Sequence, residues 1–175
     1  MNPKYLISVM GATATGKTSL AIDLARHYNT EILSADSRQF YRGMNIGTAK
    51  ASQKELALVK HHFIDVLDVD QEYNAGKFEV DALRVLDEIF QKNDVAVMVG
   101  GSGLYVNAVL SGIDEIPSNL ELRAELNQEL EENGLRHMQQ KLKKLDYDHY
   151  RFMDKQNPQR LIRAIEVCLT TGKKY

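Results

Sequence analysis

Gly11, Ala12, Thr13, Ala14, Thr15, Gly16, Lys17 and Thr18 fit the pattern G-x-x-x-x-G-K-[ST] at every fixed position. Each residue type has a chemical task in that spacing. The glycines permit a turn that points successive backbone N–H groups into one concavity, at the positive end of a following helix. Lys17 adds a mobile point charge for terminal phosphate oxygens, and Thr18 offers a hydroxyl to Mg²⁺. A glycine-rich turn without a ligand could use some of the same residues. The position of this one, after an apolar run and before a helical pattern, predicts a phosphate cradle.

A second candidate group follows at Asp36, Ser37, Arg38 and Gln39. In a doubly wound sheet the carboxyl ends of neighbouring strands share one crevice, so Asp36 is expected to face phosphates held by Gly11–Thr18. A carboxylate there can take a proton from an attacking nucleophile. The plainer alternative is a turn, since Asp-Ser is a common turn pair. Proteins that hydrolyse nucleotides on such a loop place an Asp at the end of a later apolar strand. Here the best such strand, Val95–Val99, runs into Gly100 and Gly101, and Asp65 follows only Phe63 and Ile64. Motor or switch NTPase chemistry is therefore disfavoured. His61 and His62 read as packed or surface histidines, and no Cys/His spacing supports a metal centre. The one cysteine, Cys168, excludes a disulfide scaffold and a thiolate metal site, and fits a reducing cytoplasm.

The elements that must position these residues follow from periodicity. Strands are predicted at Tyr5–Met10, Glu31–Ala35, Phe63–Leu67 and Asp94–Val99, and helices at Thr18–Tyr28, Gln53–Val59 and Phe78–Phe90. This alternation predicts an α/β fold, a P-loop NTPase-like parallel sheet with helices on both faces. After Gly112 the pattern turns helical. Leu122, Leu126 and Leu130 mark a helix stopped at Asn133-Gly134, and Leu135, Met138, Leu142 and Leu145 mark another. A last helix starts at Pro158 and stops at Gly172. The expected division is an α/β core at 1–112, a helical insertion at 113–157 and a helix returning to the core at 158–175. With few strand candidates and a helix that has only just closed at its end, the natural protein is expected to continue beyond Tyr175.

Composition bounds the function classes. The chain has 175 residues, 43% hydrophobic and 26% charged, enough for a sizeable core and not the composition of a disordered chain. No aliphatic run is long enough to span a membrane, and with no charged n-region followed by a long apolar stretch a signal peptide is not expected. The net charge of −2 argues on its own against a nucleic-acid binder. That average hides a segregation: residues 113–135 carry one Arg against seven acids, whereas residues 136–175 carry ten bases against four acids, a net +6. A basic stretch after an acidic one can be two faces of a helical hairpin or a site for a polyanion.

Taken in order, the segments Gly11–Thr18, Asp36–Lys50, His61–Asp65, Gly100–Tyr105 and Gln159–Val167 resemble the successive motifs of the tRNA dimethylallyltransferases, also called tRNA isopentenyltransferases. The resemblance covers essentially the whole chain, and the Asp36–Lys50 block is not expected of generic P-loop kinases. It implies transfer of a dimethylallyl group from dimethylallyl diphosphate to N6 of the adenosine 3′-adjacent to the tRNA anticodon. It implies that Gly11 to Thr18 hold the diphosphate, that Thr18 binds Mg²⁺, and that Asp36 acts as base beside Lys17 and Thr18. It assigns contact with the tRNA anticodon stem-loop to Asp36, Ser37, Arg38, Gln39, Ser102, Arg123, Gln159, Arg160, Leu161, Ile162 and Arg163. A cytoplasmic monomer with no membrane attachment is expected. Ala12 stands where the family commonly has Pro, and Ser102 where Thr is common. Prenylation of a free adenine nucleotide, phosphorylation of a small alcohol and non-catalytic RNA binding are the alternative chemistries. The basic stretch and the long Asp36 block weigh against the first two.

Overall fold

A computed structural model describes residues 2–113 and 119–175. It divides into two units, Met1–Asp114 and Glu115–Tyr175.

In the first unit, β1 (Tyr5–Met10), α1 (Lys17–His27), β2 (Ile32–Ser34), α2 (Gln53–Leu56), β3 (His61–His62), α3 (Ala75–Phe90), β4 (Val95–Gly100) and α4 (Gly103–Ser111) alternate along the chain. The sheet is wholly parallel, with order β1-β4-β2-β3. Side chains of β4 alternate between two apolar layers, as a strand buried on both faces requires. Ala96 and Met98 pack with Phe78, Ala82 and Val85 of α3 and Val106 of α4, while Val97 and Val99 pack with Ala21, Ile22 and Ala25 of α1. Helices therefore cover both faces of the sheet, as predicted.

The third strand differs from expectation. Phe63–Leu67 was predicted from its apolar residues, but β3 is His61–His62, paired with Ile32 and Leu33. Phe63 and Asp65 have φ of 65° and 54°, which a strand cannot contain. Phe63 instead turns into an aromatic cluster, its ring edge-on to Phe78 at 5.0 Å. The helix α4 is an addition, because Gly100–Gly103 reads as a loop and masks the helix that begins at its end.

In the second unit, α5 (Leu120–Leu145), α6 (Tyr147–Phe152) and α7 (Pro158–Thr171) share one core. Gly134, at φ 76° and ψ 172°, breaks α5 into the two helices expected on either side of it. Asn157 caps α7, accepting a 3.1 Å bond from Arg160 N–H ahead of Pro158, and Gly172 closes it in the left-handed region. Leu161, Ile162 and Ile165 of α7 pack with Leu126, Met138 and Leu142 of α5. Residues 158–175 thus belong to the same packed body as α5, whereas the sequence set them apart from 113–157. The short α6 was not predicted. Among the described residues no helix is long and apolar enough to cross a membrane.

Candidate active site

Gly11–Gly16 connect β1 to α1, and Gly16 at φ 83° makes the turn into the helix. A side chain at that φ would be strained, which is why the position calls for glycine. No side chain caps the N-terminus of α1 and its first turn holds no acid. Its free N–H groups and positive end are consequently open to an anion. The loop is tied across itself: Thr15 Oγ1 donates to the Ala12 carbonyl at 2.8 Å, and the Lys17 ammonium donates to the same oxygen. Lys17 thus holds its charge over the loop. The Thr18 hydroxyl makes no hydrogen bond among the described residues, leaving it available to a cation. A hard ion such as Mg²⁺ needs little more from the protein when phosphate oxygens and waters complete its shell, so Thr18 fits that use.

Asp36 and this loop meet, but not by the predicted route. Strands β1 and β2 are not neighbours, because β4 lies between them. What joins them is the glycine pair at the end of β4. A Cβ on Gly101 would lie 3.7 Å from both Asp36 Oδ2 and the Gly11 carbonyl oxygen, so these two oxygens are no further apart than the sum of those distances. At Gly100 a Cβ would lie 2.1 Å from the Ala35 carbonyl oxygen. The strand end that carries an Asp in nucleotide hydrolases is here emptied of side chains, and the space beside it falls between Asp36 and the phosphate loop.

The carboxylate of Asp36 is half-buried, with Oδ1 accepting from Arg38 N–H at 3.1 Å. The predicted turn and the predicted site are therefore the same structure. Ser102 holds this turn: its Oγ accepts from Ser37 N–H at 3.1 Å and donates to Ser37 Oγ at 3.3 Å. Gln39 points inward, its amide N–H₂ donating to the carbonyls of Thr48 and Ala49 at 3.1 and 3.2 Å and its oxygen accepting from Ser34 Oγ at 3.0 Å. Of the four turn residues, Arg38 is the exposed one.

Lys50 and Asp65 carry a role that residue types alone did not assign. The Lys50 ammonium, on a side chain only 6% exposed, donates to Asp65 Oδ1 at 2.6 Å, Tyr41 O at 2.9 Å and Asn45 Oδ1 at 3.2 Å. Asp65 N–H in turn donates to Gln39 O at 3.2 Å. The ion pair therefore closes the Asp36–Lys50 segment onto the residues after β3. The signal was a lysine ending one motif and an aspartate ending the next, but pairing them required the fold. His61 and His62 are packed, as expected. His62 Nε2 bonds Glu31 at 2.5 Å, and burial lowers the pKa of His61, whose Nδ1 bonds Val59 O at 2.9 Å.

In the second unit, Arg123 and Arg163 converge on Glu166, which is fully buried. Arg123 makes a forked contact at 2.9–3.1 Å, Arg163 approaches at 3.2 Å, and Asn119 N–H donates at 2.8 Å. Burial alone would raise the Glu166 pKa, but the Asn119 bond and the two guanidinium groups outweigh it and hold the pKa below the usual carboxylate value. Leu161 and Ile162, 0% and 1% exposed, are core residues, which corrects their assignment to RNA contact: a side chain that is not accessible cannot touch a ligand. Gln159 and Arg160 are exposed and, with Arg163, line a cavity of about 450 Å³.

The Glu166 cluster sets a stability test. Glu166→Ala removes the carboxylate that Arg123 and Arg163 share and the acceptor of the Asn119 N–H. The expected loss is near the lower end of about 3–5 kcal/mol, since both guanidinium groups stay about a third exposed. Because the folded pKa is depressed, the parent's contribution is full above the unfolded carboxylate value and fades as pH falls through the folded one. Denaturant unfolding of parent and variant between neutral and acidic pH should show two curves that converge toward the acid end.

The family model described as IPP transferase matches residues 39–175. The tRNA dimethylallyltransferase of Christiangramia forsetii is 52% identical over 172 residues, which is 98% of this chain and 57% of that protein. The Flavobacterium psychrophilum protein of the same name is 49% identical over 178 residues, 98% of this chain and 58% of its own. Among solved structures, the tRNA isopentenylpyrophosphate transferase of Bacillus halodurans matches with a TM-score of 0.61 at 36% identity, over 99% of this chain and 58% of that one. A eukaryotic dimethylallyltransferase, described as acting on tRNA, matches with a TM-score of 0.80 at 26% identity, over 98% of this chain and 43% of its own. The chain thus spans under three fifths of the length of these relatives.

Proposed function

Because the chain belongs to the IPP transferase family, we propose that its protein transfers a dimethylallyl group from dimethylallyl diphosphate to N6 of the adenosine 3′-adjacent to the anticodon in tRNA. The supporting observation is the meeting of the Asp36 carboxylate and the phosphate loop over Gly101. One side of that space suits a diphosphate and the other suits a proton acceptor. As the allylic carbon–oxygen bond breaks, its electron pair leaves with the diphosphate. The α1 N–H groups and Lys17 then stabilise the charge that develops there. Mg²⁺, held through Thr18, would neutralise part of the diphosphate charge. The lone pair of an exocyclic adenine amine is delocalised into the ring and is a weak nucleophile. Asp36 can orient that amine and accept its proton as the carbon–nitrogen bond forms. The adenine must leave its stack to reach this point, at a cost of about a few kcal/mol. The net +6 of residues 136–175 supplies the electrostatic attraction a folded RNA needs and a mononucleotide does not. A cytoplasmic location, with the tRNA pool, follows from this reading.

Incubating the intact natural protein with labelled dimethylallyl diphosphate, Mg²⁺ and unmodified tRNA carrying the target adenosine should place the label in tRNA. Preferential labelling of AMP, or ATP-dependent phosphorylation of an alcohol with no transfer, would replace this reading.

A further inference from the structure

Residues 35–52, between β2 and α2, form no helix or strand of their own apart from the bridge of Tyr41 to Leu67. A connection of that length without regular structure is uncommon in a compact unit unless it serves a function. Asp36 sits near its start, and among the described residues its carboxylate is bonded only by the Arg38 N–H of its own turn. The direction in which Oδ2 points is therefore set by the backbone that carries it. Something outside the turn must fix that backbone.

Lys50 reaches it through a continuous series of bonds. Its ammonium donates to Asp65 Oδ1 at 2.6 Å, Asp65 N–H donates to Gln39 O at 3.2 Å, and Gln39 N–H donates to Asp36 O at 3.0 Å. Val66 N–H and Leu67 N–H both donate to Phe40 O, at 2.8 and 3.0 Å, so the residues after Asp65 grip the same turn. An ammonium has three donors, and here Asp65, Tyr41 O and Asn45 Oδ1 engage all of them. With its side chain only 6% exposed, Lys50 has no donor left for a phosphate. Backbone strain lies on both sides of the ion pair. Ala49, just before Lys50, has φ 48°, Phe63 has 65° and Asp65 itself 54°, all in the left-handed region without being glycine. Such residues persist where the surroundings over-determine them, and they gather where a functional group must be aimed. A buried ion pair is a weak source of stability, so fixing geometry is the task left to it.

We propose that Lys50 is a positioning residue for the transfer reaction: through Asp65 and Gln39 it holds Asp36 with Oδ2 facing the space over Gly101. Lys50 acts only through Asp36 and binds neither donor nor RNA. The proposal rests on the reading of the protein as a tRNA prenyltransferase with Asp36 as its base, but it can fail separately.

The test is a double-mutant cycle on the intact protein, with transfer kinetics and amide hydrogen exchange on each variant. Lys50→Met keeps the length of the side chain and removes its charge, and Asp65, with a side chain 37% exposed, can then be solvated. It should lower kcat by about 10–10²-fold, the cost of a misplaced catalytic group, with the donor KM near the parent value. In an Asp36→Asn background the same change should add little, because the group that Lys50 aims is already disabled. Asp65→Asn keeps an acceptor oxygen for the ammonium and should lose less than Lys50→Met. It carries the same cycle if Lys50→Met does not fold. Exchange at the Gln39 and Asp65 amides should quicken in Lys50→Met, while the amides of α1 keep their parent rates. Parent kcat in a folded Lys50→Met, or losses that multiply in the double variant, overturns the proposal and leaves the prenyltransferase reading standing. Quickened exchange at Gln39 in a protein that transfers no prenyl group would keep the brace and remove that reading.

Discussion

Asp36→Asn should slow prenyl transfer to tRNA by about 10²–10⁴-fold while leaving the fold and donor binding intact. The amide is the same shape as the carboxylate, and its oxygen can still accept the Arg38 N–H that shapes the turn. Ser102 continues to hold Ser37, and Gln39 continues to hold Thr48 and Ala49, because none of those bonds involves the Asp36 carboxylate. What is lost is the capacity to accept a proton as the carbon–nitrogen bond forms. Single-turnover transfer with saturating donor and RNA isolates that step from binding. A loss confined to kcat assigns Asp36 as the base. Full activity in Asp36→Asn excludes that role and leaves Asp36 as a turn residue, the plainer reading its neighbours also allow.

The parts of this site that could be read from residues alone are those encoded by short-range constraints. A loop that must bend around phosphate needs Gly16 at positive φ, and a charge that must reach it needs Lys17 next in line, so spacing alone is diagnostic. β4 was legible for a similar reason, as an apolar run buried on both faces. Where meaning lay in pairing across the sheet, the sequence was silent. Nothing in Gly100-Gly101 says that β4 separates β1 from β2, or that its empty end is where Asp36 meets the loop. The Lys50–Asp65 pair likewise joins residues whose partnership exists only after Phe63 and Asp65 adopt positive φ. Arg123 and Arg163 show the opposite failure. The family resemblance assigned both to RNA contact, and in the fold both engage Glu166, whose carboxylate is buried and not part of a solvated helix face. Charge identifies what a side chain can bind, and only burial says what it already holds.

The glycine pair gives the sharpest test of this geometry, because its two members should fail differently. In Gly100→Ala the new methyl would sit 2.1 Å from the Ala35 carbonyl oxygen and 2.6 Å from its carbon. Those are backbone atoms of the residue that follows β2, whose own N–H bonds Val99 O at 2.7 Å. No rotamer relieves the overlap, so β2 must part from β4 where Asp36 begins. We expect a stability loss at or above about 3 kcal/mol, the upper end of overpacking costs, with transfer activity lost as Asp36 leaves the loop. In Gly101→Ala the methyl would sit at 3.7 Å from both Asp36 Oδ2 and Gly11 O, an ordinary contact distance. That chain should fold with stability within about 0.5–1 kcal/mol of the parent. Its methyl group nevertheless enters the space between acid and phosphate, so transfer should fall sharply in a well-folded protein. Denaturant unfolding and single-turnover transfer, measured on both variants, separate the two outcomes. If Gly101→Ala keeps full activity, the reacting groups do not meet over Gly101. If Gly100→Ala keeps full stability, β2 does not approach β4 as closely as the fold requires.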